Sequence, residues 1–371
     1  MVNGQPFGPT EMKSGNTFEV LPVFIPNGPM RILFDINHPA HAHFFKNAIS
    51  ELSSAGHTTL ITASSKECTY EILAQSRVEY ELIDGTHDGS IREMAKLLIA
   101  RNQKLRSFVL EQKPDVLAAI GGTFVAHVGR MTPAKSVVFY DTAEARLQNL
   151  ITYPFVHRLV VPNCYDGWTP RARTKYYNGC HELSYLAPRY FKPSRDKAIN
   201  AGLDPTLPTL LLRLVSWHAN HDIGLRGLSD EFVHALVHAL SGRAKLLISS
   251  EKPLPSGLKK YQYTGPPSDI HHLLAFTSGL IGESATMASE SAVLGVPALL
   301  LGPSKRCYTR WLETEYGLIR SSTNPSIQNI FSIVENWIEQ KQNVFHKRKN
   351  RLIENSEDVT KVIQDNILFF N

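Results

Sequence analysis

From Met30 onward one pattern repeats along this chain: a short apolar run, then a longer stretch whose apolar residues recur at helical spacing, then another short run. That alternation restricts the chain to parallel sheets covered by helices, because neighbouring parallel strands need a crossover and a helix is the usual one. Strands are predicted at Arg31–Ile36, Thr58–Thr62, Val78–Ile83, Val116–Ile120, Ser136–Tyr140 and Arg158–Val161. Helices are predicted from about His43 to Ala55 and at Lys66–Gln75, Ser90–Gln112 and Thr123–Met131. The stretch from Cys164 to Asp204 is irregular and rich in Tyr, Pro and Arg, and reads as a linker with a boundary near Pro188. The alternation then resumes, with strands at Thr209–Val215, Lys245–Ile248, Gly279–Ile281 and Ala298–Leu301. Helices at Ser229–Leu240, Ser268–Phe276, Ser284–Leu294 and Arg306–Tyr316 lie between and after them, and Ile327–Phe370 reads as two helices, the last packing back across the first domain.

The expected fold class is therefore α/β, with two doubly wound, Rossmann-like domains, 30–188 and 189–371, facing each other across a cleft. A chain of 371 residues exceeds one ordinary α/β core and suits two. Residues 1–29 carry scattered Gly, Pro and Asn, with one candidate strand at Phe18–Ile25, and read as a flexible extension. In doubly wound sheets a ligand sits beyond the carboxyl ends of the strands, so the chemistry is expected in the βα loops that line the cleft.

A net charge of +5 suits a phosphorylated substrate or peripheral contact with an anionic membrane, but does not indicate nucleic acid. Cys68, Cys164, Cys180 and Cys307 form no CxxC pair, so neither a zinc ribbon nor a disulfide scaffold is expected. No apolar run reaches the roughly 18–20 residues of a membrane span, and no signal-peptide order is present; a cytoplasmic location follows as the expectation.

The most informative stretch runs from Gly279 to Leu301: strand, tight turn, helix, strand. Small residues at Gly282, Ser284 and Ala285 would let a diphosphate approach the helix start, where free N–H groups and the helix dipole favour negative charge. Glu290, six residues past Ser284, would then reach ribose hydroxyls. The plainer alternative makes Ser284 a helix cap and Glu290 a solvated helix residue. The turn Asn37-His-Pro-Ala-His-Ala-His43 follows the first strand. Its His38, His41 and His43 suit a phosphate or acceptor loop, a metal site lacking any helpful carboxylate or cysteine, or simple helix capping; no metal is assigned. Gly121 and Gly122 either present N–H groups to an acceptor or permit close helix packing. Asp141 offers a carboxylate to the cleft or caps the next helix, and Lys305 and Arg306 are candidates for a phosphate or donor sugar. The basic run Arg171–Lys175 reads as a solvated face or as a dock for a lipid-linked acceptor.

The Gly282–Glu290 stretch resembles the donor-nucleotide motif of glycosyltransferase-B (GT-B) enzymes, in particular the peptidoglycan N-acetylglucosaminyltransferase and the UDP-N-acetylglucosamine 2-epimerase. Five blocks in order resemble an uncharacterised prokaryotic family of predicted glycosyltransferases: Asp35–Lys46, Gly179–Leu186, Val215–Asp222, Gly282–Glu290 and Ser304–Arg310. The resemblance implies a donor diphosphate at Ser284, Ala285 and Thr286, the ribose at Glu290, and His41 as general base toward an acceptor hydroxyl. It also aligns His218 with a histidine that the epimerases use near the diphosphate, which implies an electrostatic clamp on the leaving group. Two departures stand out: Ala285 and Thr286 replace the epimerase Gly-Gly pair, and Cys307 and Tyr308 replace the paired glutamines of the peptidoglycan enzyme.

The implied function is metal-independent transfer of a sugar from a nucleotide-diphosphate donor, UDP-linked, to a hydroxyl acceptor that is a sugar or a lipid-linked molecule, with no cofactor. The alternatives are a 2-epimerase-like enzyme and a non-catalytic nucleotide-sugar binder. Epimerisation is disfavoured because Thr142, Gln148 and Asn149 occupy the neighbourhood where the epimerase pattern carries glutamates, with only Asp141 and Glu144 close.

Overall fold

The computed structural model describes residues 28–63, 80–82, 91–215, 227–302, 306–340 and 343–371. The expected strand at Phe18–Ile25 and helix at Lys66–Gln75 fall outside the described residues, as do His218 and Lys305. The first sheet contains β1 (Arg31–Ile36), β2 (Thr58–Ala63), β3 (Tyr80–Leu82), β4 (Val116–Ile120), β5 (Lys135–Phe139), β6 (Arg158–Pro162) and β7 (Thr174–Tyr177). They run parallel in the order β3-β2-β1-β4-β5-β6-β7. The second sheet contains β8 (Thr209–Leu214), β9 (Lys245–Ser250), β10 (Gly279–Gly282), β11 (Ala298–Leu301) and β12 (Ile319–Ser322), parallel in the order β12-β11-β10-β8-β9.

Central strands such as β1 and β4 are near-continuous apolar runs because helices cover both of their faces. The two edge strands lack that signature. In β7 Lys175 and Tyr176 are exposed and Tyr177 is buried, and β12 reads Ile-Arg-Ser-Ser; neither was legible as a strand.

The helices of the first half are α1 (Pro39–Ser54), α2 (Ile91–Gln112), α3 (Thr123–Met131) and α4 (Arg146–Thr152), followed by the short α5 (Leu183–Leu186) and α6 (Arg195–Asn200). The second half carries α7 (Asp230–Leu240), α8 (Ile270–Leu274), α9 (Ala285–Leu294) and α10 (Cys307–Thr314). The tail forms three helices rather than the expected two: α11 (Ile327–Glu339), α12 (Asn343–Glu354) and α13 (Val359–Leu368). The last returns to the first half, where Gln364 bonds Glu51 at 2.7 Å and Thr360 bonds the Ser184 carbonyl at 2.9 Å.

Alternation along the strands of the second sheet sorts its side chains. Leu210 and Leu212 pack with Val233, Leu236 and Leu240 of α7 on one face, whereas Leu211 joins a larger apolar cluster that continues through both halves. The halves are thus fused by shared core as well as by chain. The strand order reverses direction between β1 and β4 in the first sheet and between β8 and β10 in the second, the points where a doubly wound sheet opens a crevice.

Candidate active site between the halves

The turn after β1 is fixed by a buried network. Asp35, 1% exposed, accepts from Thr62 at 2.9 Å and from Arg101 at 3.1 Å, and Arg101 also bonds the side-chain oxygen of Asn37. Helix α1 then begins at Pro39, earlier than the expected His43, because proline suits the first helical position and His38 caps it, its Nδ1 accepting from the Ala40 N–H at 3.1 Å. What the sequence suggested as a loop is therefore a helix start, and His41 and His43 ride on the first turns of α1. The Asn37 N–H donates to His41 Nδ1 over a long 3.4 Å, and burial, with His38 and His181 nearby, holds this imidazole well below the usual histidine range. His43 stacks on Tyr185 (centroids 5.2 Å apart) and meets His271 edge-on at 5.1 Å. Burial, with His271 and Lys46 close by, pulls its pKa down to about 3.

The segment Cys180–Leu186 closes the first half against the second. His181, buried against Phe44, places Nδ1 3.2 Å from Asp141 Oδ2 at the end of the β5 strand path. Asn47 of α1 donates to the Ser184 carbonyl at 2.7 Å and holds the segment in place. Glu182 is 3% exposed, and burial pushes its carboxyl up to about 8, against the pull of the Ser289 hydroxyl. Tyr185 donates to Glu290 at 2.8 Å.

Across the cleft, β10 ends at Gly282, where an added Cβ would collide with the Arg213 carbonyl of β8; this glycine serves strand pairing. Ser284 caps α9, accepting from the Met287 N–H at 3.2 Å. The Glu283 carboxylate accepts from the N–H groups of Val215 at 3.2 Å and Leu228 at 2.7 Å, the described ends of the segment that carries His218. Glu290 is not a solvated helix residue: it is 5% exposed, and its Oε1 takes both the Tyr185 hydroxyl and His271 Nε2, the latter at 2.9 Å. Burial pushes its carboxyl up, but His271, His43 and Tyr185 together hold it below the usual range.

Arg306 reaches Glu144 of the first half at 3.1 Å, and the Cys307 thiol bonds the Asp141 carbonyl at 3.2 Å, so the start of α10 is pinned beside Asp141. Gly121 accepts from Gln148 at 3.3 Å through its carbonyl. Gly122 (φ +26°) starts α3 so closely that a Cβ would lie 2.7 Å from Val138 Cγ2, the packing use of this pair.

His41, His43, Asp141 and Glu290 thus gather around Cys180–Leu186, with Ser284–Thr286 and Arg306 at its margins. His181, Glu182, Tyr185 and His271 join them without having been singled out in the sequence. The first three lie in a block noted only for its resemblance, and His271 carries no spacing signal at all. Three buried polar atoms of this cluster, His43 Nδ1, His181 Nε2 and Glu182 Oε2, have no hydrogen-bond partner in the protein. Such atoms cost roughly 1–3 kcal/mol each unless a bound molecule satisfies them. Among the described residues no group of three or more His, Cys, Asp or Glu side chains is placed to hold a metal, and no helix is long and apolar enough to cross a membrane.

The fold is that of GT-B proteins. The UDP-GlcNAc 2-epimerase of Methanocaldococcus jannaschii, solved with UDP-GlcNAc and UDP, superposes with a TM-score of 0.65 at 12% identity, over 92% of this chain and 100% of that one. The Neisseria meningitidis UDP-GlcNAc 2-epimerase bound to UDP-GlcNAc gives 0.63 at 12% identity, over 92% and 100%. The calicheamicin glycosyltransferase gives 0.57 at 12% identity, over 92% and 98%. No curated protein matches the sequence. Residues 30–369 match the model of a family described as "Protein of unknown function (DUF354)", and the chain belongs to that family.

Proposed function

We propose that this protein transfers a sugar from a UDP-linked donor to a hydroxyl acceptor in the cleft between its halves. The observation that carries the reading is Glu290: a buried carboxylate two turns into a capped helix at a switch point, with both its protein bonds on Oε1 and Oε2 in neither of them. Fold alone does not assign chemistry, but this geometry offers a ribose hydroxyl an acceptor while the N–H groups of Ala285 and Thr286, at the opening of α9, meet the diphosphate. Arg306, His218 and Lys305 are assigned to the same phosphates or the donor sugar. The helix start and these side chains supply positive potential to the leaving diphosphate, so turnover is expected to survive EDTA; loss restored by magnesium or manganese would contradict metal independence.

Epimerisation is the second reading, and Glu182 favours it. A buried carboxyl that keeps its proton to about 8, beside the Asp141–His181 pair, is an acid of the kind proton exchange at carbon 2 requires. Incubating the protein with UDP-GlcNAc in deuterated water separates the two. Transfer predicts UDP release that rises with added hydroxyl acceptors and no deuterium in the remaining donor. Deuterium at carbon 2 without acceptor would establish epimerisation, and binding with neither reaction would leave a nucleotide-sugar binder.

A further inference from the structure

We infer that His181, held by Asp141, is the base that takes the acceptor's proton, and that His41 acts instead as a hydrogen-bond donor; the inference rests on the nucleotide-sugar reading above. A neutral imidazole has one N–H and one lone pair, and the partner of one nitrogen decides what the other can do. At His41 the lone pair of Nδ1 is taken by the Asn37 N–H, which leaves the proton on Nε2, where the ring can donate but not accept. At His181 the reverse holds. Nδ1 faces the Asp141 carboxylate at 3.2 Å and so carries the proton, and the Nε2 lone pair is buried with no partner in the protein. His43 also has an unpartnered Nδ1, but its neighbours are the rings of Tyr185 and His271. Among the described residues of this cluster, His181 alone combines an unpartnered buried ring nitrogen with a carboxylate oxygen 3.2 Å from the other.

In the transfer step the acceptor oxygen bonds the anomeric carbon as its proton passes to His181 Nε2. The bond from that carbon to the diphosphate oxygen breaks, and its electron pair leaves with UDP. Asp141 stabilises the imidazolium that results, and Asn37 fixes His41 to present Nε2–H to a substrate oxygen. Burial lowers the His181 pKa and Asp141 draws it back up, which keeps the ring neutral and ready near pH 7.

Long-range nitrogen-15 NMR of the histidine rings reads the tautomers directly, without substrate. The expected pattern is Nδ1–H at His181 and Nε2–H at His41, with the His181 pattern lost in Asp141→Ala. UDP release from UDP-GlcNAc, with water as acceptor, is then compared in His181→Gln and His41→Gln alongside calorimetric UDP binding. His181→Gln is expected to lose about a hundredfold or more in rate with UDP affinity unchanged. His41→Gln, which keeps a donor, is expected to lose less. An Nε2–H tautomer at His181, or a rate that survives His181→Gln and fails in His41→Gln, overturns the assignment alone. A parent protein that neither binds UDP nor releases it overturns the nucleotide-sugar reading, and the base assignment with it.

Discussion

At the residue scale, Glu182 makes a claim that needs no substrate. Its folded pKa is raised to about 8 by burial, whereas an unfolded glutamate releases its proton near about 4.3. Between those values the folded state holds a proton that the unfolded state has lost, so stability from this group is fully present below the unfolded value and falls as pH rises to about 8. Denaturant melts from pH 5 to 9 are expected to show a decline, on the order of 1.4 kcal/mol per pH unit inside that window, that is absent in Glu182→Gln; parallel curves would contradict the burial. Gly282→Ala is expected to destabilise by about 1–3 kcal/mol, since its Cβ meets the Arg213 carbonyl, and equal denaturation midpoints would count against that packing. Glu290 stood out in the sequence because its spacing from a helix start has a chemical meaning. His181 and Glu182 did not, because two polar residues within Cys180–Leu186 have no such spacing, and their burial comes from long-range packing such as that of His181 on Phe44 of α1.

At the scale of elements, central strands were readable from apolar runs and edge strands were not, because an edge such as β12 leaves arginine and serines to solvent and loses its pattern. The start of α1 was not legible because its cap is His38, which caps helices less often than serine, so Pro39 was the one ordinary start signal. The cap of α9 was readable from Ser284, and it carries its own prediction. Ser284→Ala leaves the Met287 N–H without its partner and is expected to cost about 1 kcal/mol, measured by chemical denaturation, while Ser284→Asp restores stability. An Asp at the mouth of the proposed diphosphate site is expected to lower UDP affinity by charge repulsion even as it repairs the helix. Stability and affinity moving together in that variant would detach the helix start from the nucleotide.

At the scale of the molecule, two doubly wound halves were foreseeable from the repeated alternation, but their fusion was not. An apolar cluster that includes Phe44 and Val137 of the first half and Leu211 and Leu280 of the second is long-range packing that no local pattern encodes. The halves are therefore expected to unfold in one calorimetric transition, with equal calorimetric and van't Hoff enthalpies; two resolved transitions would contradict the shared core. A ligand bound between them should raise that single transition by mass action, by about 2.7 kcal/mol at a hundredfold excess over Kd. The central claim, a nucleotide held at α9 with its ribose on Glu290, is tested most directly by titrating UDP into the protein and into Glu290→Ala by calorimetry. Binding by the parent that weakens at least about tenfold in the variant, or about 1.4 kcal/mol, is the predicted result; no binding by the parent, or equal binding by both, would contradict it.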